Sequence, residues 1–225
     1  MIYVGETKVK RLISVSRLIS GVLLCSGLAL ADYQLDFTIP AFAAGSISYA
    51  GSNKPLVGND IKVSSLEGLG GSKNSGSAVG CYNCLLNFST GDLASSSPGE
   101  YDFSGGGSFT ITGTAAGITG TLLSGSLDST IIDYVYGWDV QTSFFTSNVN
   151  PGLTSYYGMP SSPPQYGGAF GIVFTAMNGP NPGSFESTQI FSGNVAAAVP
   201  EPASMVLLGT VLLGCVAIVR RRRSA

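Results

Sequence analysis

The chain has 225 residues, enough for one domain with a substantial core and little more. Charged residues make up only 11 %, against roughly 25 % in an ordinary soluble protein, and glycine takes 31 positions. There is no histidine, which excludes Ser-His-Asp and Cys-His catalysis and every histidine-ligated metal site.

The N-terminus reads as a secretory signal peptide over residues 1–31. Lys8, Lys10, Arg11 and Arg17 form a basic start, and an apolar run follows from Leu18 to Leu30. At 13 residues that run is shorter than the roughly 20 a spanning helix needs. Ala29-Leu30-Ala31 supplies a small-x-small cleavage site for signal peptidase, with Ala29 and Ala31 as its small residues and Asp32 as the first mature residue. An uncleaved N-terminal anchor is the alternative.

Residues 32–199 read as one exported β domain. They hold three lysines against eleven acids, a net charge of −8 that the near-neutral whole chain conceals. Nucleic acid is excluded as a partner, because phosphate contacts need a basic surface. Cations or neutral polymers suit this region better. Apolar residues alternate with small polar ones: Ile47 with Tyr49, Ile61 with Val63, Leu86 with Phe88, Phe109 with Ile111, and Phe170 with Ile172 and Phe174. Period two with β-branched and aromatic residues predicts strands. Turn signals fall at Gly105–Gly107, Gly113, Gly125 and Asn178–Gly183. The expected fold is an all-β antiparallel sandwich, with a barrel-like form as the alternative. The segment near 150–168, rich in proline, is expected to be a long surface loop that exposes Tyr156, Tyr157 and Tyr166. Residues Gly193 to Val199 read as the end of the last strand and a short linker.

Three features of this domain are candidate sites. Cys81 and Cys84 are the one cysteine pair left after export, and a disulfide is the default in an oxidising compartment. Its Cα atoms must lie about 4.4–6.8 Å apart, whereas i and i+3 of a strand lie about 10 Å apart. Tyr82 and Asn83 are therefore expected to form a turn, with a returning strand from Leu85. A redox motif or a metal pair is the alternative, although no βαβ context accompanies the cysteines. Next, Ile132, Tyr134, Tyr136, Trp138 and Val140 alternate as the longest expected strand. Tyr134, Tyr136 and Trp138 form either a flat platform for sugar rings or part of the core, and the apolar flanks favour the core. Finally, Asp128 with Asp133, or Glu100 with Asp102, are nominal carboxylate pairs for glycoside hydrolysis, which needs them across a cleft. No cofactor is implied. Calcium is the one ion that oxygen ligands here would suit, yet no D-x-D-x-D-G loop appears.

The C-terminus has three parts in order: Pro200-Glu201-Pro202, an uncharged segment of 17 residues from Ala203 to Val219, and Arg220, Arg221, Arg222 and Arg223. Seventeen helical residues reach about 26 Å, just short of a hydrocarbon core of about 30 Å. The arginine cluster predicts a cytoplasmic end and a domain on the outside. The prolines keep the backbone ahead of the helix extended and open to a protease.

This tail, residues 200–225, resembles the PEP-CTERM sorting signal. The resemblance implies a Gram-negative exporter, an exosortase that cuts near the Pro-Glu-Pro motif, and a passage from the inner membrane to the cell surface or extracellular matrix. It implies no enzymatic activity. Phrases such as Leu85-Leu86-Asn87-Phe88-Ser89-Thr90-Gly91 and Leu122-Leu123-Ser124-Gly125 are similar to a recurring Gly/Ser-rich β domain of such proteins. The expected function is a non-enzymatic structural or adhesive protein of exopolysaccharide or biofilm. A carbohydrate-binding module is the alternative, and a secreted polysaccharide hydrolase comes third.

Overall fold

The alternating segments at 47–49, 61–63, 86–88, 109–111 and 170–174 fold as the strands they predict. A computed structural model describes residues 33–134, 137–160, 166–175 and 183–199. In chain order the strands are β1 (Tyr33–Ile39), β2 (Ser46–Tyr49), β3 (Pro55–Leu69), β4 (Ser77–Ser97), β5 (Glu100–Phe103), β6 (Gly107–Ala115), β7 (Ile118–Tyr134), β8 (Trp138–Val149), β9 (Gly167–Phe174), β10 (Phe185–Ser187) and β11 (Ile190–Val199). One helix, α1 (Pro151–Tyr157), lies between β8 and β9. The expected signal helix and C-terminal helix lie outside the described residues. Among the described residues, no helix is long and apolar enough to cross a membrane.

Every strand pairing is antiparallel, and the pairings close on themselves. The circuit runs β1–β3–β4–β6–β7–β8–β9–β11 and back to β1. β5 fills the gap between β4 and β7 beyond the end of β6, and β2 with β10 extends β3. The inward positions are apolar and buried, among them Phe37, Ile61, Val63, Leu86, Ile111, Val140 and Ile172. Rings from opposite sides of the circuit meet in the middle: Phe88 and Phe170 lie 5.2 Å apart, Phe109 and Phe144 4.5 Å. Burying each such side chain contributes about 1.5–3 kcal/mol before chain entropy is counted.

The registers define two ends. Tyr33 pairs with Val199, so both chain junctions of the domain leave from one end. Trp138 pairs with Phe174 at the other.

Three expectations are corrected. The proline-rich segment near 150–168 contains α1 rather than an open loop. Pro151 stands at the start of the helix, where its missing N–H costs nothing. The Asn150 side chain caps it by accepting from the Gly152 N–H at 2.9 Å, and Gly158 ends it at φ 65°. Tyr157 and Tyr166 are consequently buried and Tyr156 is partly so. Gly113 and Gly125 lie inside β6 and β7. The reversal between those strands is made instead by Ala116 and Gly117, both at positive φ. Lastly, β11 runs unbroken to Val199, where a linker was expected.

Candidate functional site

The aromatic stripe is a hairpin. The sequence predicts one strand from Ile132 to Val140, but β7 ends at Tyr134 and β8 begins at Trp138. Ile132 then faces Val140 and Tyr134 faces Trp138 across the ladder. Trp138 is 1 % exposed and Tyr134 47 %, so the two do not form one solvent-facing platform. Trp138 stacks near Phe185 at 6.2 Å and an interplanar angle of 11°. Tyr101 lies 5.7 Å away and Tyr134 5.3 Å. Tyr49 extends the cluster to Phe103 at 5.6 Å, and Phe174 meets Phe185 at 5.7 Å. The rings come from β2, β5, β7, β8, β9 and β10 and close that end. Among the described residues, the Trp138 indole N–H has no hydrogen-bond partner. Tyr136 lies outside the described residues.

Cys81 and Cys84 form the disulfide, with Cα atoms 5.5 Å apart. Tyr82 and Asn83 do not reverse the chain, however. β4 continues through them, and the contraction is a bulge. Tyr82 opposes Thr114 and Leu85 opposes Thr112, three steps on β4 against two on β6. Asn83 takes the left-handed conformation at φ 50°. Gly113 makes room opposite: a Cβ there would lie 2.5 Å from Cys84 Sγ and 2.6 Å from its Cα. The bulge leaves the Tyr82 ring exposed.

The nominated carboxylate pairs are not the neighbours the fold creates. Registers place Glu100 opposite Asp133, and Asp133 opposite Asp139, a row of three acids across β5, β7 and β8. Like charges in such positions repel. Burial raises the Asp139 carboxyl above its ordinary value; a hydrogen bond from Gln141 works against that, and the Asp133 charge adds to it. Asp102 accepts from Ser95 Oγ at 2.6 Å, and Asp128 sits in a bulge of β7. Among the described residues, no three Asp, Glu, Cys or His side chains are grouped to hold a metal ion.

At the junction end, α1 fills the mouth of the circuit. Leu153 and Tyr157 are fully buried. The Tyr157 hydroxyl lies 3.2 Å from both the Leu66 and Ser77 carbonyl oxygens and donates toward them. Burial, with smaller effects of Tyr156 and Glu67, pushes its pKa up to about 12. Beside this mouth β11 ends at Val199, one residue before Pro200. Ala29, Ala31, Pro200, Glu201, Pro202 and Arg220 to Arg223 lie outside the described residues.

The molecule is thus an antiparallel β domain whose final strand leads straight into the three-part tail. The family model of the PEP-CTERM protein-sorting motif matches residues 198–223, so the chain carries that sorting signal and is a PEP-CTERM protein. The match begins within β11 and leaves the rest of the β domain uncovered. No curated protein and no solved structure matches the chain.

Proposed function

We propose that this exosortase-sorted, exported protein resides in the exopolysaccharide or biofilm matrix at the cell surface, where it acts as a structural or adhesive component without catalysing a reaction. Signal peptidase removes residues 1–31, the C-terminal segment holds the chain in the inner membrane, and exosortase then acts near Pro200-Glu201-Pro202. The observation that carries this reading is the sorting motif matched at 198–223, joined to the β domain without a spacer. The domain is read as a flattened barrel: its pairings close on themselves, while Phe88, Phe109, Phe144 and Phe170 pack its two broad faces together as in a sandwich. A carbohydrate-binding role needs a surface other than Trp138, whose ring is buried.

The test is fractionation of a bacterium that has an exosortase, with and without that enzyme. The expected result is a shortened protein in the extracellular matrix of the parent and a membrane-held precursor in the deletion strain. A full-length product in the cytoplasm of the parent would sink the reading.

A further inference from the structure

The broad outer face of β7, β8, β9 and β11 carries a groove of about 570 Å³. One row of the sheet contributes four of the residues that line it. Ile131 pairs with Gln141, Gln141 with Gly171, and Gly171 with Asn194. The two amides therefore stand two strand spacings apart, about 10 Å, with a glycine between them. Small residues keep the floor low: Gly171 is flanked along β9 by Ala169. A Cβ built on Gly171 would meet nothing nearer than Asn194 Oδ1 and the Val140 carbonyl oxygen, both at 4.0 Å. The space above that glycine is open.

The walls have the chemistry of hydroxyl recognition. Gln141 Nε2 donates to Asp139 Oδ2 at 3.0 Å, which orients the amide and the carboxylate against each other. An amide offers both donors and an acceptor, and so matches a hydroxyl, which is both. Asn194 repeats that capacity on the far wall. Ile131 is 45 % exposed and gives one apolar surface at the end of the row. Charge then narrows the ligand. The domain carries −8, and Asp133 and Glu100 continue from Asp139 in adjacent registers, so an anionic polymer is repelled. The strands here are paired on both sides, so no backbone edge is available to a peptide strand.

We propose that this groove binds a neutral polysaccharide chain, with Gln141, Asn194 and Asp139 holding hydroxyls and Gly171 leaving the floor open. The matrix residence proposed above decides where the polymer is met, whereas binding itself is independent of it.

The test uses the full chain in detergent micelles and a panel of immobilised polymers: dextran, mannan, galactan and cellulose as neutral probes, alginate as the anionic one. Gly171→Leu fills the groove from its floor. Gly167→Leu is the control on the same strand, because a Cβ at Gly167 meets nothing within 4 Å and Gly167 does not line the groove. Near-ultraviolet circular dichroism checks that both variants keep the native fold. The expected result is retention of at least one neutral polymer, a tenfold or greater loss of affinity in Gly171→Leu, and less than a twofold change in Gly167→Leu. The proposal is overturned if no neutral polymer is retained, if alginate is held as tightly as the neutral probes, or if Gly171→Leu binds like the parent. Fractionation reads the cellular location separately, so either proposal can fail while the other stands.

Discussion

The two ends of the β circuit are closed by different means. At the aromatic end, Tyr49, Tyr101, Phe103, Trp138, Phe174 and Phe185 pack ring against ring, and the Trp138 N–H has no partner among the described residues. At the junction end, a single helix of seven residues seats itself through caps and through the Tyr157 hydroxyl, beside a disulfide-bonded bulge. The first closure is apolar and tolerant of angle. The second is polar and specific in geometry. Large apolar rings recover free energy by area wherever they land. A short helix has too few residues to be stable alone and must have its ends satisfied.

The largest test of this contrast is Trp138→Ala, which removes the ring packed against Tyr101, Tyr134 and Phe185. A loss of about 3–5 kcal/mol is expected in denaturant unfolding. A loss below about 1 kcal/mol would show that the other rings close that end without it. Next comes the junction end. Replacing both cysteines, Cys81→Ser with Cys84→Ser, is expected to cost about 2 kcal/mol through the released four-residue loop. An unchanged midpoint would mean that the β3 and β6 ladders alone hold the bulge.

Tyr157→Phe keeps the ring and deletes the hydroxyl. About 1 kcal/mol is expected to be lost at neutral pH. The pH dependence is more telling. The folded pKa, pushed up to about 12, exceeds the unfolded value near 10, so the folded state holds its proton longer. Stability is therefore fully present below pH 10 and falls as pH rises from about 10 to 12. The Phe variant should show a shallower decline over that window, and an identical one would remove Tyr157 as its cause.

The smallest effect is expected on the outer face, one residue in from the aromatic end. Asp139 has a raised pKa, so its ionised form is disfavoured by folding. Asp139→Asn should be slightly stabilising at neutral pH, within about 0.5 kcal/mol. The difference should fade as pH falls below about 4, where both states are protonated. A destabilised variant at pH 7 would assign the Gln141 contact more weight than burial and the repulsion from Asp133 together.

Strands were legible wherever period two was short and uninterrupted, as at Phe109 and Ile111 or at Phe170, Ile172 and Phe174. The hairpin at Tyr134 and Trp138 was hidden by parity. Ile132 pairs with Val140 and Tyr134 with Trp138, so even-numbered residues face inward on both sides of the reversal. A run through the turn thus looks like one strand, and Gly137 was the one local signal against it. The helix was hidden by length, because seven residues cannot display a 3.6 period. Asn150, Pro151 and Gly158 nonetheless supply an N-cap, a first-turn proline and a left-handed stop, which together would have found it. The outer groove could not be read at all. It depends on which residues lie beside one another across four strands, and Gly171 acquires its meaning from Gln141 and Asn194, 30 and 23 residues away in the chain.

The pairing of Tyr33 with Val199 bears on how the domain is finished during delivery. A chain handed across a membrane N-terminus first presents β1 at the outset and β11 last. Until the final ten residues of the domain arrive, β1 and β9 each have one neighbour and one bare edge. Those edges are open to any other extended chain nearby. The strand that removes them is the one on which the sorting motif begins. Completion of the sheet and presentation of the address are thereby the same event in time, and a chain that stops short of Ile190 lacks both.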